Sequence, residues 1–282
     1  MRGDRYLPYL LIAPSVVFLL VFFGFPLAEA LLLAVRNDSG FTFEHFQKMA
    51  GDLYFRDAFR NTLLLVIVIV PIQLALALGL SLLVAQLGKT RDAFLYIWTI
   101  PLGISDLAAG IVWLAIFTER GYLNSVLFSL GVISSPNIML GYQSLGTLFL
   151  AVVIAEVWRA TAIVMVILVA GLGLIPKMYA EAADVFGATP WQRFWRVTLP
   201  LLKPSIQTAL ILRTIAALEV FAVVSALGGR TLPVLAGESY TWYGSYQNPN
   251  VAAAYAALLL VISLITTLVY LRVIQVRREV VL

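Results

Sequence analysis

Thr62-Leu-Leu-Leu-Val-Ile-Val-Ile-Val-Pro71-Ile-Gln73-Leu-Ala-Leu-Ala-Leu-Gly-Leu-Ser-Leu-Leu-Val-Ala85 contains no Asp, Glu, Lys or Arg. A helix rises about 1.5 Å per residue, and a bilayer hydrocarbon core is about 30 Å thick, so crossing it takes roughly 20 apolar residues. This stretch has that length and composition. It predicts a helix that lipid surrounds rather than one that lies on a soluble core. Five further stretches meet the same test: Tyr9–Val35, Phe94–Phe117, Gly146–Ala170, Ser205–Leu227 and Ala252–Ile274.

The whole chain agrees with its spans. Of 282 residues, 61% are hydrophobic and 12% charged, with a mean hydropathy of +0.95. A soluble domain carries about twice that charge, roughly 25%. A soluble globular enzyme, a disordered chain and a coiled coil are therefore excluded. The expected class is an all-α polytopic membrane protein of six transmembrane helices. The first span follows Arg2 and Arg5 and ends near Ala28-Glu29-Ala30, as a signal peptide would, but its apolar part is about twice the length of an h-region. It reads as an anchor.

The basic residues give an orientation. With the N-terminus inside, the inner side holds Arg2, Arg5, Lys89, Arg91, Lys177, Arg193, Arg196, Lys203, Arg272, Arg277 and Arg278. The outer side holds Arg36, Lys48, Arg56, Arg60, Arg120 and Arg230. Lys and Arg collect in cytoplasmic loops, so both termini are expected in the cytoplasm. The net charge of +4 is then a topology signal rather than a nucleic-acid footprint. Residues 1–8 form an inner N-terminal segment, residues 9–275 the membrane domain and residues 276–282 an inner tail.

The inner loop at residues 171–204 carries the most information. Pro176 suits a first helical position, and Gly187 suits the left-handed position that ends a helix. Thr189-Pro190 reads as an N-cap and first residue of a second helix. In that helix Trp191, Phe194 and Trp195 share one face, and Gln192, Arg193 and Arg196 share the other. Leu199-Pro200 and Pro204 are expected to end it. Ala180, Ala182 and Ala183 around Glu181 give a small-residue surface. That surface suits either a cleft on a partner or ordinary packing on the chain's own spans.

The loop also carries a spaced pattern: Glu181-Ala182-Ala183, Gly187 four residues on, Val197 after nine more, then Leu199-Pro200. This resembles the signature loop of permease subunits of bacterial ATP-binding-cassette importers, with Val197 where Ile is usual. Ile100-Pro101, Trp113, Gly121-Tyr-Leu-Asn124, Ala155-Glu156-Val-Trp158-Arg159 and Ile175-Pro176 are similar to the sugar-importing, maltose-type branch and its first-permease subgroup. The likeness runs over roughly residues 8–275. It implies half of a transmembrane pore in a bacterial inner membrane, completed by a second homologous permease. It implies two ATP-binding subunits on the inner side and an external sugar-binding protein. The Glu-Ala-Ala loop would be the coupling helix seated on an ATPase.

No active site is expected in the chain. It has no cysteine and one histidine, His45, so thiolate catalysis and a Cys/His zinc site are excluded, and nothing supports a membrane-embedded enzyme. Gly88-Lys89-Thr90 looks like the end of a phosphate-binding loop, but Leu83 stands where that loop needs its first glycine. ATP is expected on the partner subunits.

Charges inside spans mark a pathway or a brace. Glu29 (near the outer end of span one), Asp106, Glu156, Arg159, Arg213 and Glu219 fall within spans, and such charges each cost roughly 2.5–3.5 kcal/mol at a helix centre. Glu156 and Arg159 share one face of span four. The four innermost, Asp106, Glu156, Arg159 and Arg213, either line a pore or gate or form ion pairs that hold helices together. Trp113, Trp158, Tyr240, Trp242 and Tyr243 are candidate sugar platforms, or members of an interfacial belt. Pro71 and Pro101 can kink spans two and three. A second reading is an ion-coupled transporter or channel that uses the intramembrane carboxylates.

Overall fold

The structure is a computed structural model of the protein and describes residues 7–274. The basic residues Arg2, Arg5, Arg277 and Arg278 and the tail at 276–282 lie outside the described residues. Helix α1 (Leu7–Leu19) runs through a wide π turn (Leu20–Gly24) into α2 (Phe25–Val35). A two-residue hairpin, β1 (Arg36–Asn37) on β2 (Gly40–Phe41), leads to α3 (Glu44–Ala50) and α4 (Phe55–Gln86). Next come α5 (Arg91–Thr99), α6 (Asp106–Phe117), α7 (Tyr122–Ser129) and α8 (Leu145–Gly173). Then follow α9 (Lys177–Val185), α10 (Pro190–Arg193), α11 (Leu199–Leu218), α12 (Ala222–Gly228), α13 (Leu235–Gly244) and α14 (Pro249–Val273). The described chain is all-α apart from that hairpin.

Five helical runs are long and apolar enough to cross a membrane, and a bent pair makes six where its two arms count as one span. The bent pair corrects the expectation of one continuous span from Phe94 to Phe117. Helix α5 passes into a 3-10 turn at Ile100–Gly103, and the chain then turns by 94° into α6. Pro101 tightens the first arm. The break itself falls beyond it, where Ser105 is extended and its Oγ accepts the Ala108 N–H at 3.2 Å, starting a new helix. Pro71, by contrast, leaves α4 unbroken.

The expected span Ser205–Leu227 is also corrected. Its helix begins earlier and stops at Leu218, and α12 is a separate element. Leu199-Pro200 does not end the preceding helix: α10 continues through a π turn at Phe194–Thr198 into α11. A proline ring would strike the carbonyl four residues back, here that of Arg196. In the wide turn the Leu199 N–H bonds the Phe194 carbonyl five residues back, which opens room for the ring. The same device precedes Pro26, where the Phe25 N–H bonds the Leu20 carbonyl. Pro14, Pro71 and Pro204 are carried without one.

Helix α4 is the hub, contributing to all three apolar clusters of the core. One joins Leu65 and Ile69 to Leu148, Val152, Val223 and Val224. A second joins Val66 and Val70 to Leu218, Leu235 and Tyr255. The third joins Ala77 and Val84 to Met165, Leu168 and Leu202. Burial of a Leu- or Ile-sized side chain is worth roughly 1.5–3 kcal/mol against water. Against lipid that gain is small, and close packing does the holding. Where α8 meets α11, a Cβ on Gly171 would collide with Ser205 Oγ and sit 2.6 Å from Ser205 Cβ. No residue from Tyr9 to Gly24 is buried, so the first half of span one lies outside this core.

Polar contacts build a cap at the end of the bundle that carries α3 and α13. Asp52 accepts hydrogen bonds from Trp242 Nε1 (2.6 Å) and the Tyr255 hydroxyl (3.0 Å). Asn61 donates to the Pro233 carbonyl (3.0 Å). Arg230 is bound to Glu238 and stacks over the Tyr54 ring at 4.1 Å. The Glu238 hydrogen bond, the largest influence, holds that guanidinium protonated more firmly than usual.

Candidate functional site

Two features stand out, one projecting from the bundle and one buried within it. The first is the loop between α8 and α11. Gly187 has φ +73, the left-handed conformation its position in the sequence predicted. The Ala188 N–H reaches the Ala183 carbonyl (3.0 Å) and the Gly187 N–H the Asp184 carbonyl (3.0 Å), closing α9 with a Schellman turn. Thr189 caps α10 in a full capping box with Gln192, and Pro190 takes the first turn. Pro176 stands one place earlier than expected, as the N-cap of α9. Arg193 reaches back to Asp184 at 2.9 Å and ties the two helices into one piece. Trp191, Phe194 and Trp195 do cluster, with ring centroids 5.3–6.3 Å apart.

This rigid piece stands clear of the bundle. No residue of α9 is buried, and Glu181 and Ala182 are exposed, with Ala183 half-buried. Val185 and Phe186 are 85% and 89% exposed. Leu199 and Pro200 lie where the piece enters α11. Of the alanines around Glu181, Ala182 is exposed, while Ala180 and Ala183 are half-buried.

The second feature is a buried ladder of charges. Glu156 on α8 is 1% exposed and Arg213 on α11 is 3% exposed. Arg213 Nη2 donates to Glu156 Oε2 at 2.6 Å, and its Nε donates to Gln73 Oε1 on α4. Gln73 Nε2 in turn donates to the Glu156 backbone carbonyl at 2.8 Å. One turn along α8, Arg159 Nη1 meets Asp106 at 2.8 Å, while its Nη2 stands 3.7 Å from Glu156 Oε2. The order is Gln73, Arg213, Glu156, Arg159, Asp106, across α4, α11, α8 and α6. Two cations face two anions, which offsets the cost of placing either sign in lipid. Trp113 stacks on Phe117 and meets Trp158 edge-on at 5.9 Å beside the ladder.

The ladder joins Asp106, Glu156, Arg159 and Arg213, with Trp113 and Trp158 at its margin. It leaves Glu219 out. That residue sits just past the end of α11, exposed, beside Leu27, Ala30, Ser239 and Ala253 in an open cavity of about 490 Å³. Its expected place inside span five fails because that helix ends at Leu218. Gln73 is the member that a search for charges overlooks. Its signal was a lone carboxamide at the middle of an otherwise apolar span, two residues past Pro71.

The comparisons with known proteins agree with this architecture. Residues 77–279 match the family described as binding-protein-dependent transport system inner membrane component. The chain is 33% identical to the trehalose/maltose transport system permease protein of Thermococcus litoralis, over 97% of this chain and 95% of that one. It is 32% identical to the sulfoquinovosyl glycerol transport system permease protein of Agrobacterium fabrum, over 97% and 92%. Its fold superposes on a chain of a bacterial ABC transporter involved in the import of alginate, with a TM-score of 0.81, 22% identity and 97% and 96% coverage. A membrane bundle of this topology, matched over nearly its whole length to permeases, belongs to the family of binding-protein-dependent transport system inner membrane components, the permease subunits of ABC importers.

Proposed function

We propose that this permease carries a sugar or sugar-like solute across a bacterial inner membrane, and that the α9–α10 piece couples it to a separate ATPase. The observation that carries the proposal is the form of that piece. It is capped at both helix junctions, tied by Arg193 to Asp184, and has no buried residue on α9. A stiff projection with apolar Val185 and Phe186 at its tip transmits a push from a partner. A floppy loop would absorb it. Glu181, Ala182, Ala183 and Gly187 would form the seated surface, and Leu199 and Pro200 the joint through which motion enters α11.

In this reading both termini and the α9–α10 piece face the cytoplasm. Two ATP-binding subunits sit there and hold the ATP. A second homologous permease completes the pore, and an external binding protein delivers the solute to the cap end. The membrane domain spans 9–275, with residues 171–204 as its coupling segment. Asp106, Trp113, Glu156, Trp158, Arg159 and Arg213 border the pathway, and Glu219 lies at its outer mouth. The sugar class is carried over from relatives named for trehalose/maltose and sulfoquinovosyl glycerol. The alternative of ion-driven transport is weakened by the ladder, because Glu156 and Asp106 already face arginines.

The test is Gly187→Asp in the complete transporter reconstituted in liposomes. The chain should insert and assemble, and the transporter should still hydrolyse ATP while losing solute uptake by at least tenfold. Normal uptake would sink the coupling role. Uptake by the lone chain on an ion gradient would sink the importer reading altogether.

A further inference from the structure

The ladder divides into a locked part and a loose part. The locked part is Gln73, Arg213 and Glu156. It sits among α4, α8 and α11, which pack closely on one another along their lengths. The loose part is Asp106 with Arg159, the ladder's only step onto α6. That helix packs most closely on α12. At Gly110 it lies so close to α12 that an added Cβ would fall 2.6 Å from Ala226 Cβ. It also begins at a 94° break in the chain, so its first arm does not hold it in line.

The seam between α6 and α8 is polar at its Asp106 end and apolar beyond it, where Trp113 and Phe117 pack against the cluster that α12 shares with α4 and α8. Asp106 and Trp113 lie two helical turns apart on the α6 face toward α8, with buried Ala109 between them. On the α8 side, Arg159 has a choice of carboxylates. It holds Asp106 at 2.8 Å, and Glu156 waits at 3.7 Å. Glu156 Oε1 and Arg159 Nε are both buried and lack hydrogen-bond partners among the described residues. A buried acceptor and a buried donor left open beside each other provide for a second arrangement. In it Arg159 turns to Glu156 as Asp106 leaves, and no bare cation is left in the membrane.

We propose that Asp106–Arg159 is a latch that holds the N-terminal end of α6 against α8, with Glu156 as the acceptor that receives Arg159 when the latch opens. The latch would open as that end of α6 swings from α8 during transport, and in that respect it rests on the transport reading above. Its existence does not. Asp106 is 53% exposed, so the contact is the accessible end of the ladder and the one that can break.

The chain has no cysteine, so Ala109→Cys places a single reporter in the seam. In the assembled transporter in nanodiscs, with no nucleotide or solute added, N-ethylmaleimide labelling of this chain is followed by mass. Asp106→Asn should speed labelling about tenfold, the loss of one charge-assisted hydrogen bond. Asp106→Glu should stay near the parent rate. A reporter at Ala151→Cys, inside the α8 core, should remain slow throughout. A rate for Asp106→Asn within twofold of the parent overturns the latch, as does equal acceleration at position 151, which would mean general loosening. Arg159→Lys keeps the charge but cannot span both carboxylates. Faster labelling there supports the latch, and an unchanged rate counts against it. All these readings are taken at rest. Lost uptake with the labelling pattern intact would therefore overturn the transport reading alone.

Discussion

Replacing Glu156 by leucine tests the locked part of the ladder. The change keeps side-chain bulk and removes the acceptor that Arg213 Nη2 meets at 2.6 Å. Some support survives. Arg213 Nε keeps Gln73, Gln73 keeps the backbone carbonyl of residue 156, and Arg159 keeps Asp106. Breaking one partner of a buried ion pair costs about 3–5 kcal/mol. The surviving contacts, and an unfolded state in detergent that still finds polar partners, place Glu156→Leu at about 3 kcal/mol, roughly two decades in the folding constant. The assay is SDS-induced unfolding of the purified chain in mixed micelles, read by tryptophan fluorescence. The double change Glu156→Leu with Arg213→Met removes both charges and should recover at least about 2 kcal/mol of the loss. A single-variant cost under about 1 kcal/mol would refute the reasoning. So would a double variant as unstable as the sum of the two singles.

Further outcomes follow from the fold. Gly171→Ala overpacks the α8–α11 contact and should cost about 1–3 kcal/mol in the same assay, with much of it regained by adding Ser205→Gly. Asp52→Ala strips the acceptor from Trp242 and Tyr255; a loss of about 1–3 kcal/mol and a shifted tryptophan emission are expected. Gly187→Ala meets open space, so its cost of about 1 kcal/mol is purely the left-handed backbone at φ +73. Proteolysis confined to the α9–α10 piece should report it, with global unfolding unchanged.

The apolar runs were readable because lipid demands them: about 20 residues with few charges is a constraint no loop satisfies. Span one and span six accordingly fall within a few residues of their expected bounds. The α9 turn was readable because Gly187 and Thr189-Pro190 are local signals. The 94° break was not, since Pro101 marks strain but the turn falls where Ser105 can cap a new helix. The early end of α11 at Leu218 was hidden because Val220–Leu227 is as apolar as the helix before it. The ladder was half legible. Intramembrane charges announce burial, but that Arg213 meets Glu156 depends on helix packing across 57 residues of chain, and its tie to Gln73 spans 140. Gln73, carrying no charge, gave only a faint sign.

The wide turns before Pro26 and Pro200 have a consequence for angular phase. Each residue of a regular helix advances about 100° around the axis. A π turn takes up one residue more than the regular pattern allows, so the stripes before and after it are offset by about that angle. A helical wheel drawn straight through Leu20–Gly24 or Phe194–Thr198 therefore assigns the wrong side to everything beyond the turn. Removing one residue from either turn would bring the stripes back into phase and return the proline ring to its clash. At these two places a one-residue deletion and the loss of the proline should be tolerated together and resisted separately.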